Sequence, residues 1–200
     1  MRSRKPVDPV LISNAVIRLN DEILDFSDAV TFLKQPNLNK NFVHRLISWL
    51  ILFKVIPHTQ VRSAIGISAR YEQYQKHVQK LIGDAEDPLE KLNEKESRVI
   101  IADINRSQHW FAAMVDSLNE DDEQKIDEFY TKDVRNHAIR ILVMLSLTSK
   151  FYSYIQGFDR YVLIAYLLGL SFVSKSGLQT NVAESISYFL SLKLLKLTNP

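Results

Sequence analysis

Apolar side chains recur along this chain three and four residues apart, the spacing that gathers them on one face of a helix. Val10, Ile12, Val16 and Ile17 predict a first helix over 8–19, and a second follows over 28–33. The segment QPNLN at 35–39 reads as a turn. A strongly apolar helix is expected over 41–55, stopped by Pro57, since proline denies its predecessor helical geometry. Tyr71, Tyr74, Val78, Leu81 and Ile82 set a helix over 68–82, with Gly83 placed as its C-terminal cap.

After a charged turn at 83–88, a short helix is expected over 88–96. Ser97 then reads as the N-cap of a helix over 98–118, its hydroxyl taking up an orphan amide hydrogen. The acidic run NEDDEQKID at 119–127 reads as a solvated loop and the first turn of the next helix. Further helices are expected over 133–149, 158–173 and 181–197, the first carrying Val134, Ala138, Ile141, Leu142 and Leu145 at helical spacing. No internal repeat and no strand emerges, so the expected fold class is all-α. The last helix is apolar almost all round, and such a helix needs burial on every side. Either the chain packs it completely, or a helical partner or a missing lobe covers 181–197.

Composition narrows the classes. Among 200 residues, 46% hydrophobic and 24% charged is the balance of a globular chain, which excludes wholesale disorder. With no cysteine there is no disulfide framework, thiolate metal site or cysteine nucleophile. Five glycines and six prolines are too few for a turn-rich sandwich or barrel. The net charge of +2 conceals a division: 1–83 and 131–200 are basic, while 84–130 holds 14 acidic residues against 5 basic ones. Basic residues spread thinly around an acidic centre are not the concentrated face of a nucleic-acid binder. The longest apolar run, 161–173, falls short of the roughly 20 residues that cross a bilayer. No apolar signal-peptide core follows the basic first residues, so the chain is expected to be cytoplasmic, with no transmembrane segment.

The candidate chemistry is sparse. His44, His58, His77, His109 and His137 show no metal-ligand spacing, and no metal site is assigned. There is no glycine-rich phosphate loop and no nucleophile elbow, so nothing marks a stand-alone enzyme. Two segments stand out. In IIADINR (100–106), Asp103 and Arg106 are three apart and share a helix face, while Ile100, Ile104, Phe111 and Val115 follow a stripe that can bury. Such a pair is either a solvated ion pair or an arginine held ready to meet an anion. The second segment is YIQG (154–157), a glutamine-glycine turn between two apolar helices.

In order and spacing, IxxDxxR (Ile100, Asp103, Arg106) followed by YxQG (Tyr154, Gln156, Gly157) resembles the TBC domain, the family of GTPase-activating proteins for Rab GTPases. RLISW (45–49) is similar to the family's early RxxxW segment, and 135–156 resembles the helical lead-in to its glutamine. The likeness begins at about Phe42. It divides the chain into a helical extension of no assigned role (1–40) and a TBC-like domain (41–200), a multi-helix orthogonal array. The family's C-terminal lobe runs well beyond the 43 residues that follow Gly157, so the domain is expected to be incomplete at that end.

The resemblance implies a GTPase activator supplying two groups in trans. GTP hydrolysis by a small GTPase is slow because charge on the transferring phosphoryl group is poorly neutralised and the attacking water poorly aimed. An inserted arginine is worth roughly 10³–10⁵ in rate, or about 4–7 kcal/mol of barrier. A carboxamide both donates and accepts hydrogen bonds, which suits it to aiming water. By resemblance, Arg106 is the arginine finger and Gln156 the glutamine finger. Asp103 orients the arginine, and Tyr154 and Gly157 position the glutamine loop. Arg45, Trp49 and Ile100 belong to the scaffold, with Trp49 buried. GTP and Mg²⁺ come with the GTP-bound Rab-family partner, and the chain needs no cofactor of its own. Through that partner it would sit peripherally at membranes. The alternative is a TBC-like binding module that engages a GTPase or another helical partner without accelerating hydrolysis.

This sequence departs from the family pattern at three places. Ser107 stands where threonine is usual, and Phe158 and Asp159 where methionine and then asparagine or serine are usual. An added carboxylate beside a triphosphate site is unfavourable unless a cation neutralises it, and Arg160 is the candidate.

Overall fold

The computed structural model describes residues 6–35, 41–57, 60–119, 126, 128–148 and 154–198, with backbone alone at 60–63, 119 and 129–130. All regular structure among them is helical. In chain order the α-helices are α1 (Pro9–Leu19), α2 (Phe26–Leu33), α3 (Phe42–Leu52), α4 (Gln60–Leu81), α5 (Glu94–Asn119), α6 (Glu128–Thr131), α7 (Val134–Thr148), α8 (Asp159–Ser176) and α9 (Thr180–Thr198). A single 3-10 turn, Pro88–Lys91, precedes α5. Among the described residues, no helix is long and apolar enough to cross a membrane.

Side-chain caps fix several of the helix starts. Asp8 accepts from the Val10 amide with Pro9 at the first helical position, and Asp25 and Asp28 form a reciprocal capping box at α2. The Asn41 side chain accepts from the His44 amide at 3.0 Å to begin α3. Asn93, not Ser97, caps α5: its Oδ1 accepts from the Glu96 amide at 2.9 Å. Ser97 instead donates to the Leu89 and Asn93 carbonyls, which joins the 3-10 turn to the helix.

Helix α3 ends earlier than Pro57 alone requires. Lys54 adopts φ +54°, and the Val55 amide reaches back 2.8 Å to the Leu50 carbonyl, a Schellman-type end. That turn carries Val55 and Ile56 into the core. Within α1, Ile12, Ala15 and Val16 form the buried stripe, whereas Val10 and Ile17 face outward. Of the acidic run 119–127, only Ile126 is described beyond the backbone of Asn119, and it is buried; the rest of that expectation lies outside the described residues.

The centre of the molecule is the α8–α9 hairpin, turned at Gly177 (φ +71°). Gly169 on α8 lets the two helices approach so closely that a Cβ there would sit 3.0 Å from Ala183 Cα. Around this hairpin, α3, α5 and α7 pack on α8, while α4 and α7 pack on α9. Helix α1 lies on α4 and α2 on α3, so Ile12, Val16, Ala29 and Phe32 from the first forty residues join the same core.

Of the two alternatives for the last helix, packing by the chain itself holds as far as Ser191, while the end of the helix at 196–198 is exposed. Every residue from Asn181 to Ser191 is buried, against α4, α7 and α8 of this same chain. No outside partner or further lobe is needed to cover that stretch. Several of its polar groups find partners inside: Ser187 donates to the Val162 carbonyl at 2.9 Å, and the Asn181 amide nitrogen to the Tyr71 hydroxyl at 3.0 Å. Glu184 accepts from the Tyr74 hydroxyl at 2.6 Å and is paired with His137 and Arg140.

Candidate functional site

Helix α5 brings Ile100, Asp103 and Arg106 to the site. Ile100 and Ile104 are buried and anchor the helix in the core. Asp103, on the next face, is only 2% exposed, while the Arg106 side chain it pairs with is 61% exposed. The Asp103 carboxylate is therefore a buried brace for an outward-reaching cation, and three donors converge on it. Arg106 Nη2 donates to Oδ1. The Tyr154 hydroxyl donates to Oδ2 at 2.7 Å, and the Gly157 amide donates to the same oxygen at 3.1 Å. Charge-assisted bonds of this kind are roughly twice as strong as neutral ones.

The glutamine turn is thus tied to the arginine helix through one carboxylate. Gly157 takes φ +89°, a backbone angle that side chains other than glycine's rarely allow. That conformation aims its N–H at Asp103 and leaves Gln156 exposed beside it. The Tyr154 amide donates to Glu96 Oε1 at 3.2 Å, a second tie to α5. Residues 149–153, the last part of the expected lead-in, lie outside the described residues.

Arg106 and Gln156 both line one open groove of about 560 Å³, together with Asp103, Gly157, Arg160 and Tyr161. The structure therefore brings five of the expected residues together: Asp103, Arg106, Tyr154, Gln156 and Gly157. Arg45 and Trp49 do not line this groove. Arg45 is half-buried with its guanidinium 5.5 Å from the Phe42 ring centre, and burial pulls its pKa below the ordinary value. Trp49 is half-buried rather than buried, edge-on to Phe53 at 6.3 Å.

The expected neutralisation of Asp159 by Arg160 gives way to a different arrangement. Asp159 opens α8 and is 1% exposed. Its Oδ2 accepts from the Ser107 hydroxyl, and its Oδ1 lies 3.4 Å from the Tyr154 hydroxyl. Being at a helix N-terminus also favours its negative charge. Arg160 turns the other way, with its guanidinium carbon 5.8 Å from the Trp110 ring centre. Two of the three departures noted in the sequence, Ser107 and Asp159, are thus hydrogen-bonded to each other.

Sequence reading missed Glu96 and Trp110. The signal was there in the spacing: 96, 103, 107 and 110 recur at seven, four and three residues, one continuous face of α5. A second cluster also escaped notice. His44 is buried, with Nε2 3.1 Å from Asp21 Oδ1 and Nδ1 3.3 Å from Glu22 Oε2. The Nε2 contact is a hydrogen bond, and it ties the α1–α2 connection to α3.

No family model, no curated protein and no solved structure matches this chain, so its functional reading rests on the geometry of the groove.

Proposed function

We propose that this chain is a TBC-like activator of a Rab-type small GTPase, contributing Arg106 and Gln156 in trans to a partner that carries GTP and Mg²⁺. The observation that supports the reading is that these two side chains, fifty positions apart, line one open groove and are linked through the Asp103 carboxylate. In the proposed reaction, water attacks the γ-phosphorus, the bond to the β–γ bridging oxygen breaks, and GDP and phosphate result. Arg106 offsets the negative charge that grows on the transferring group and on the leaving oxygen. Gln156 accepts a hydrogen bond from the attacking water through its carbonyl and donates to a phosphoryl oxygen through its amide. Asp103 holds the guanidinium in place before the partner arrives, so less ordering is needed on docking. The assigned roles are therefore Arg106 and Gln156 as catalytic groups, with Asp103, Tyr154 and Gly157 positioning them.

The test is single-turnover GTP hydrolysis across a panel of Rab GTPases, with and without this chain. Acceleration by orders of magnitude on at least one member supports the proposal. Binding without acceleration selects the alternative, a module that engages the GTPase but does not act on its chemistry.

A further inference from the structure

The groove holds a second cation that the proposed chemistry leaves unused. Arg160 is exposed on the first turn of α8, laid over the Trp110 ring of α5. Among the described residues, Arg160 forms no ion pair: the acid beside it, Asp159, is turned inward to Ser107 and Tyr154. A guanidinium seated on an aromatic face keeps its in-plane donors pointing away from the ring, where they can meet a carboxylate or phosphate.

Its surroundings decide between the two. Tyr161, next in sequence and lining the same groove, is 56% exposed. Ile155, beside Gln156, is 48% exposed. A free phosphate gives an exposed tyrosine and isoleucine nothing to bury against. A protein segment bearing a carboxylate next to apolar side chains does, and arginine with aromatic residues is the usual make-up of an interface anchor.

We infer that Arg160 on Trp110, with Tyr161 and Ile155, is a rim that grips an acidic and apolar segment of the partner protein. The inference rests on the GTPase reading and divides its labour: Arg106 and Gln156 act on hydrolysis, and the rim acts on binding. A charged rim mainly speeds association and makes it sensitive to salt.

Direct binding to the same Rab panel, loaded with a non-hydrolysable GTP analogue, tests it. Wild type, Arg160→Ala, Arg160→Glu and a control, Lys80→Ala on the exposed side of α4, are compared by interferometry at two salt concentrations. The expected result is roughly tenfold weaker binding for Arg160→Ala, mostly through a slower on-rate, a larger loss for Arg160→Glu, and a flatter salt dependence in both. Lys80→Ala should match wild type. Equal affinity for Arg160→Ala and wild type overturns the rim while leaving the catalytic proposal standing. Arg160-dependent binding with no accelerated hydrolysis sinks the catalytic proposal and leaves the rim intact. Binding to no member of the panel overturns both. Self-association of the wild type that Arg160→Ala abolishes would assign the rim to a second copy of this chain and overturn the inference as stated.

Discussion

Asp103 and Gly157 lie fifty-four positions apart, yet the glycine's amide donates to the aspartate's Oδ2 at 3.1 Å. The same carboxylate holds Arg106 and Tyr154, so one buried anion sets the relation between α5 and the glutamine turn. Asparagine is nearly the same shape but presents one acceptor and one donor where three donors converge. Asp103→Asn is expected to lower stability by about 2–3 kcal/mol, seen as an earlier denaturation midpoint at unchanged m-value. It should also speed hydrogen exchange at the Gly157 amide.

Two glycines should resist alanine for different reasons. At Gly157 nothing lies within 4 Å of an added Cβ, but φ is +89°. Gly157→Ala is expected to cost about 1–2 kcal/mol through backbone strain alone. At Gly169 the backbone is helical, and the added Cβ would meet Ala183 at 3.0–3.1 Å. Gly169→Ala is expected to cost about 1–3 kcal/mol by forcing α8 and α9 apart. Adding Ala183→Gly should recover part of the second loss and none of the first, which urea denaturation of the four variants would reveal.

The buried Glu184 makes the core sensitive to acid. Burial by itself would raise its pKa, but His137, Arg140 and the Tyr74 hydroxyl outweigh that and bring it to about 2, below the ordinary 4.5. A carboxylate depressed on folding stabilises the native state above its unfolded value, and that contribution disappears as pH falls toward the folded one. Stability should therefore drop between about pH 4.5 and 2. Glu184→Gln removes the buried carboxylate that faces His137, Arg140 and the Tyr74 hydroxyl, an expected loss of about 3–5 kcal/mol at neutral pH, with a shallower acid transition than the wild type. Denaturation curves at pH 7, 4 and 3 check both statements.

Local spacing made most of the helices legible, because an apolar stripe and a cap are properties of a dozen consecutive residues. Gly83 does end its helix in the left-handed region (φ +61°), and Ile100, Ile104, Phe111 and Val115 are all buried. What failed depended on partners far away. Ser97 has the chemistry of an N-cap, but only the fold shows its hydroxyl committed to Leu89 and Asn93. The α4 helix begins at Gln60, well before the expected 68, although Gly66 interrupts its apolar spacing. The Asp103–Arg106 pair was readable as i,i+3 neighbours, whereas the Asp159–Ser107 bond joins two helices 52 positions apart. The burial of α9 from Asn181 to Ser191 was equally hidden, since Asn181, Glu184, Ser185 and Ser187 find their partners on α4, α7 and α8 or within α9 itself.

The most direct test of the account compares plateau rates of stimulated GTP hydrolysis for wild type, Arg106→Ala and Gln156→Ala at saturating activator, on whichever Rab the wild type accelerates. Gln156 is solvent-facing, so Gln156→Ala should keep the wild-type unfolding transition to within about 1 kcal/mol, whereas Arg106→Ala also removes a donor from buried Asp103 and should cost about 1–3 kcal/mol while the protein remains folded. The account predicts a fall of roughly 10³-fold or more for the arginine variant and a comparably severe loss for the glutamine variant. Folded variants that stimulate as well as the wild type would contradict it.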